Sequence, residues 1–254
     1  MRTTVVQISD ATPENEWTDL VAHCTENRSQ LVVLGEMPFA KWLAATDAVD
    51  PAAWRDAIEI HDEWVGRLGE LGGAVVAGSR PGLHDGIPYN EGFLWSESSG
   101  YVPTHLKYYL PNEPGFWEAT WYRRSPTKSF KAMPIEDGSV GFMICTDMWF
   151  TEHARSYAQQ GVNLLIVPRA TEGSTVSKWL AGGRAAAVMS GAFCLSSNRQ
   201  GLAKGVLFGG SGWVIDPNGN VLATTSEADP FVTVDVDLAE ARAAKQRYPR
   251  YVEE

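Results

Sequence analysis

Val140-Gly-Phe-Met-Ile-Cys145-Thr-Asp-Met-Trp-Phe150 is an apolar run that ends abruptly in a cysteine. An acidic residue, two aromatics and a helix-like segment over residues 151–160 follow. The pattern predicts a buried strand, a tight turn and then a helix. It sets Cys145 at the carboxyl end of the strand, near a helix N-terminus. Backbone N–H groups there favour negative charge, which would lower a thiol's pKa and can bind an oxyanion. An isolated cysteine in an apolar run is more often core, so the rest of the chain has to decide between the two.

Working outward, Val162-Asn-Leu-Leu-Ile-Val167 is a second apolar strand, followed by an alanine-rich helix over residues 176–190 and a strand over 191–198 that holds Cys194. Towards the N-terminus, residues 3–9, 31–34 and 73–79 read as strands. Amphipathic helices over residues 13–28 and from Pro51 onward separate them, with Cys24 and His61 on core faces. A β-α-β-α-β start implies a parallel sheet. Residues 88–95 and 101–110 then look like paired strands, 111–124 like an aromatic loop, and Asp216-Pro-Asn-Gly219 like a hairpin turn. Residues 231–236 are a last strand and 238–247 a charged helix. With no repeat or linker, residues 1–254 are expected to be one domain, a layered α/β sandwich.

The 254 residues are 44% hydrophobic and carry a formal charge of −10, which argues against a nucleic-acid partner. Three scattered cysteines without a CxxC pair suggest neither a zinc site nor disulfides, and fit a reducing cytoplasm. The alternating start, Met-Arg-Thr-Thr-Val-Val-Gln, does not read as a signal peptide, and no apolar run has membrane-spanning length.

Glu36, Lys107 and Cys145 each sit in or just after a strand, where sites of α/β sheets gather. Together they supply a base, a cation and a soft nucleophile. Neither GxSxG nor a GxGxxG or Walker motif is present.

On these residues the chain resembles the nitrilase superfamily of carbon–nitrogen hydrolases. The resemblance runs through Leu31-Val-Val-Leu-Gly-Glu36-Met-Pro, His105-Leu-Lys107-Tyr-Tyr-Leu-Pro111 and Gly141-Phe-Met-Ile-Cys145-Thr-Asp147 with Glu152. It continues through Gly161-Val-Asn-Leu-Leu-Ile-Val-Pro168, Asn198-Arg-Gln-Gly201 and Gly209-Gly-Ser-Gly-Trp213. It implies a four-layer α-β-β-α sandwich of two mixed β-sheets and a thiol hydrolase. Glu36 would be the base, Cys145 the nucleophile, and Lys107 with the backbone N–H of Thr146 the oxyanion site. A second glutamate is Glu118, after Pro114-Gly-Phe-Trp, in preference to Glu113. No metal or organic cofactor is implied.

Departures from the family pattern are Thr146, where an aromatic is usual, Thr151 in place of proline, and Met148-Trp149 where carboxylate-binding relatives carry arginine. A small neutral amide is therefore the expected substrate, with Trp117, Trp149 and Arg169 as candidate pocket residues. Nitrile or N-carbamoyl hydrolysis uses the same residues. A catalytically silent binding or scaffold member is the non-enzymatic alternative. The resemblance also implies a homodimer or higher homo-oligomer.

Overall fold

The computed structural model describes residues 1–252. Its first half runs β1 (Arg2–Ser9), α1 (Glu14–Asn27), β2 (Leu31–Val33), α2 (Pro51–Val65), β3 (Val75–His84), β4 (Ile87–Ser96) and β5 (Gly100–Leu106). A short α3 (Glu118–Trp121) follows. The second half runs β6 (Met133–Ile135), β7 (Gly138–Phe142), α4 (Glu152–Gln159), β8 (Leu164–Pro168), α5 (Val176–Ser190), β9 (Phe193–Ala203) and β10 (Val206–Gly209). It closes with β11 (Trp213–Ile215), β12 (Val221–Thr224), β13 (Phe231–Asp235) and α6 (Leu238–Ala244).

Two mixed sheets result. In one, β1, β2 and β3 are parallel, β4 and β5 extend the edge antiparallel, and β13 covers β1 on the other side. In the other, β7, β8 and β9 are parallel, flanked by antiparallel β6 on one side and β11 and β12 on the other. The sheets join where Gln7, Ile8 and Ser9 of β1 pair with Asn198, Arg199 and Gln200 of β9.

Side chains alternate across a strand, and that alternation builds the layers. Val5, Leu31, Val33, Leu164, Ile166 and Leu195 point between the sheets and form one buried cluster with Val140 and Phe142. Their neighbours Val6, Val32 and Leu34 face α1 and pack on Trp17 and Leu20. Leu165 and Val167 face the opposite way, against Tyr157 of α4 and Ala186 and Ala187 of α5. The order is helices, sheet, sheet, helices. Each fully buried aliphatic side chain here contributes roughly 1.5–3 kcal/mol of apolar burial. Asp50 caps α2 by accepting from the Ala52 N–H at 2.8 Å, with Pro51 in the first turn. Among the described residues, no helix is long and apolar enough to cross a membrane.

Three departures from the sequence reading bear on the site. The strand before Cys145 ends at Phe142, because Met143 and Ile144 already turn towards a 3₁₀ segment, Cys145–Trp149. The aromatic loop contains the helical turn α3, which carries Glu118. β3 continues through Arg80, Pro81 and Gly82, residues that read as a strand end, because β4 pairs with it as far as His84.

Candidate active site

Glu36 leaves the end of β2 in a segment that two contacts pin. Its backbone N–H donates to the Arg169 carbonyl at 3.1 Å, and its own carbonyl accepts from Arg199 Nε at 3.1 Å. Arg199 also bonds the carbonyls of Met37 and Ala40 and the Asp10 carboxylate, so one guanidinium braces the whole turn. Met37 takes a left-handed backbone, φ 45°, which is strained for a residue with a Cβ. That turn aims the Glu36 carboxylate inward.

Lys107 follows β5, its backbone N–H held by the Asn90 carbonyl at 2.9 Å. Its Nζ donates to Glu36 Oε1 at 2.7 Å and to Glu118 Oε2 at 2.5 Å. All three side chains are buried. Burial pulls the ammonium down, but Glu118, Glu36 and Cys145 outweigh it and hold it above the usual lysine range. Burial pushes Glu118 up to about 7, with Lys107 opposing and Glu36 adding to the rise. Tyr122 Oη donates to Glu118, and Asn90 Nδ2 donates to Glu36 Oε1 at 2.6 Å. One oxygen of each carboxylate, Glu36 Oε2 and Glu118 Oε1, is buried without a hydrogen-bond partner.

Cys145 sits on a sharp elbow at φ 47°, again left-handed. Asp147 fixes that elbow to the lysine segment. Its Oδ1 accepts from the N–H groups of Tyr108 and Tyr109 at 3.2 and 2.9 Å, and its Oδ2 from Ile144 N at 3.2 Å. His105 Nε2 lies 2.9 Å from the same Oδ2. One buried carboxylate thus ties the end of β5 to the turn after β7. The thiol differs from the sequence expectation. Burial first, then the Glu36 carboxylate, hold it well above the usual cysteine range, with Lys107 opposing. Desolvation costs an unpaired thiolate more than a five-residue 3₁₀ turn returns, which favours the thiol form.

Cys145, Thr146 and Glu118 line a cavity of about 270 Å³ with Phe116, Trp149, Ala170, Thr171, Trp179, Glu113 and Glu172 among its walls. The structure therefore brings Glu36, Lys107, Glu118 and Cys145 together, with Thr146 and Trp149 at the cavity. Glu113 is exposed and makes no contact with Lys107. The structure places two of the candidate pocket residues away from the cavity lining. Trp117 packs against the buried cluster that includes Trp42, Trp54 and Tyr122 and is absent from the cavity lining, where its neighbour Phe116 stands. Arg169 does not line the cavity. It is fully buried, bonded to Ser196 Oγ, Thr171 Oγ1 and the Ser211 carbonyl, and stacked 3.8 Å over Trp213. A polar residue after an apolar strand signals a site or a brace equally well; only packing separates them.

Asn90, Tyr122, Asp147 and Arg199 were not singled out for these contacts from sequence. Asn90 lies 54 positions from the glutamate it bonds, and Arg199 163 positions from it. The available signal was a polar Asn90-Glu91 pair inside a strand and an asparagine–arginine pair at the end of another.

A family model of carbon-nitrogen hydrolases matches residues 6–246. The chain belongs to the carbon–nitrogen hydrolase family. A hydrolase of Schizosaccharomyces pombe is 32% identical over 187 residues, 70% of this chain and 57% of that protein. An omega-amidase of Bos taurus is 31% identical over 183 residues, 69% of this chain and 65% of that protein. The match thus spans less than two thirds of either relative. Among solved structures, a carbon-nitrogen hydrolase from Helicobacter pylori superposes with a TM-score of 0.86 at 21% identity, covering 98% of this chain and 94% of that one. An amidase from Nesterenkonia sp. gives 0.80 at 20% identity, covering 98% and 93%. At such identities the likeness is one of fold, and the fold is this family's sandwich.

Proposed function

We propose that the protein is a thiol amidase that cleaves the C–N bond of a small amide through a cysteine thioester, with residues 1–254 acting as one hydrolase domain. The observation that carries it is a buried lysine held 2.7 and 2.5 Å from two carboxylates, beside a cysteine that opens on a cavity. Glu36 takes the thiol proton as Cys145 Sγ attacks the amide carbon. A base is needed because the thiol rests protonated. The C–O double bond opens to an oxyanion, stabilised by Lys107 and the Thr146 N–H. The oxyanion collapses, the C–N bond breaks, and the nitrogen leaves with the proton from Glu36. A water, deprotonated by Glu36, then attacks the thioester carbonyl, and Cys145 departs, taking that proton back from Glu36, as the acid forms. Glu118 fixes Lys107 and offers its unpartnered Oε1 to the substrate's amide N–H.

The expectation of a homodimer in the cytoplasm belongs to this reading, and sedimentation of the purified chain checks the assembly. The decisive experiment is ammonia release from small amides, N-carbamoyl amines and nitriles, with Cys145→Ala alongside, and intact-mass detection of the acyl-enzyme. Release by the wild type alone, with an adduct on Cys145, is the expected result. Equal release by both proteins, or an adduct elsewhere, overturns it.

A further inference from the structure

The walls of the cavity above Cys145 carry two acidic residues, Glu113 and Glu172, and three aromatic rings, Phe116, Trp149 and Trp179. Among the described residues, no lysine, arginine or histidine lines it. Neither carboxylate has an ion-pair partner among the described residues, and the one side-chain hydrogen bond of Glu172 is a long one from Ser174 Oγ, 3.4 Å. The rings of Trp149 and Trp179 lie 4.8 Å apart, tilted at 49°, so they form a corner rather than a flat wall. Deeper in, Glu118 is fully buried, lines the same cavity, and leaves Oε1 without a partner. On the amidase reading, that oxygen takes the N–H of the scissile amide. The chemistry at the other end, two carboxylates and the Trp149 ring with no cation among the described lining residues, suits an ammonium group; the Trp179 ring beside it already has the buried Arg169 guanidinium 6.0 Å from its centroid. Aromatic faces attract cations through their quadrupole, and carboxylates at a half-open mouth add Coulomb attraction. An anionic substrate would face two like charges there.

We propose that the substrate is an amide bearing a cationic amine at the end remote from the scissile bond, held by Glu113, Glu172 and the Trp149 ring. This rests on the amidase reading and replaces the neutral amide expected from sequence, where the absence of an arginine was visible but the convergence of Glu113 and Glu172 was not. Their segments lie far apart in sequence, one before α3 and one after β8.

The test compares three amides of matched length, 5-aminopentanamide, pentanamide and glutaramate, at one pH and two salt concentrations. Expected is a kcat/KM order of cation, neutral, anion, with the cation favoured over the neutral amide by about tenfold and less at high salt. The cation-to-neutral ratio falls towards one in Glu113→Gln/Glu172→Gln, whose positions are exposed or half-buried and tolerate the change. Tryptophan fluorescence titration of Cys145→Ala with the same three amides gives the order without turnover. Cation-selective binding with no hydrolysis by the wild type would sink the amidase reading and leave the cavity's charge preference standing. Hydrolysis with no charge preference, a ratio unchanged in the double variant, or binding of none of the three overturns this proposal.

Discussion

Replacing Lys107 with methionine keeps the chain length and removes the charge between two buried carboxylates. Glu36 Oε1 and Glu118 Oε2 sit 2.7 and 2.5 Å from Nζ, so without the lysine they face each other across no more than about 5 Å. At an effective dielectric near 20, two charges at that distance repel by about 3 kcal/mol. Breaking a buried ion pair typically costs about 3–5 kcal/mol. The folded protein escapes part of this by taking up a proton. Glu118 is already pushed up to about 7 with Lys107 lowering it, and loses that help in the variant. A carboxyl raised in the folded state contributes its stability below the unfolded value, and loses it as pH rises through the folded value. Wild type and variant share that loss up to about pH 7, and only the variant continues to lose above it. Urea unfolding should therefore give a destabilisation that grows by about 2 kcal/mol between pH 6 and 8.5. The melting temperature at pH 8.5 should fall by roughly 10 °C. Adding Glu118→Gln should recover about 3 kcal/mol at pH 8.5 without restoring amide hydrolysis. A penalty below about 1 kcal/mol, flat across that pH range, would refute the buried triad as described.

Tyr122→Phe removes a hydrogen bond that lowers the Glu118 pKa. The acid limb of the kcat/KM profile should move up by about 0.5–1 pH unit, because Glu118 then holds its proton to higher pH; a limb that stays put or moves down would separate Tyr122 from the site. Asn90→Leu strips the donor at 2.6 Å that orients Glu36 and should reduce kcat by about 10–100-fold with far less change in melting temperature. Unchanged steady-state kinetics would show that Glu36 needs no such support. Gly141→Ala places a Cβ 2.8 Å from the Tyr157 ring, which cannot retreat because it is buried and its Oη bonds the Phe142 carbonyl. Expected is a loss of about 1–3 kcal/mol in chemical denaturation, and full wild-type stability would mean that the ring moves.

The alternation of apolar residues was enough to place most strands and the helices on both outer faces, since each strand's two faces are written locally in its sequence. The positions of Glu36, Lys107 and Cys145 in or after strands were legible for the same reason, while the preference for Glu118 over Glu113 rested on the family resemblance of the Pro114-Gly-Phe-Trp segment. Periodicity says nothing about how far a polar group lies from water or what meets it. Hence Arg169 read as a possible pocket cation although it is buried over Trp213, and Trp117 took the place of Phe116. The direction of the thiol's shift was out of reach for a related reason. A helix start is visible in sequence, but desolvation, which dominates at Cys145, depends on every element packed around it. The contacts that make the candidate site, Asn90 and Lys107 on Glu36, Tyr122 on Glu118 and Asp147 across the β5 end and the elbow, come from side chains on separate elements. Local sequence determined which groups were available at the strand ends. Only the stacking of the two sheets decided which of them meet, which are buried and what charge the cavity presents, because distance and dielectric are properties of the packed molecule and not of any one segment.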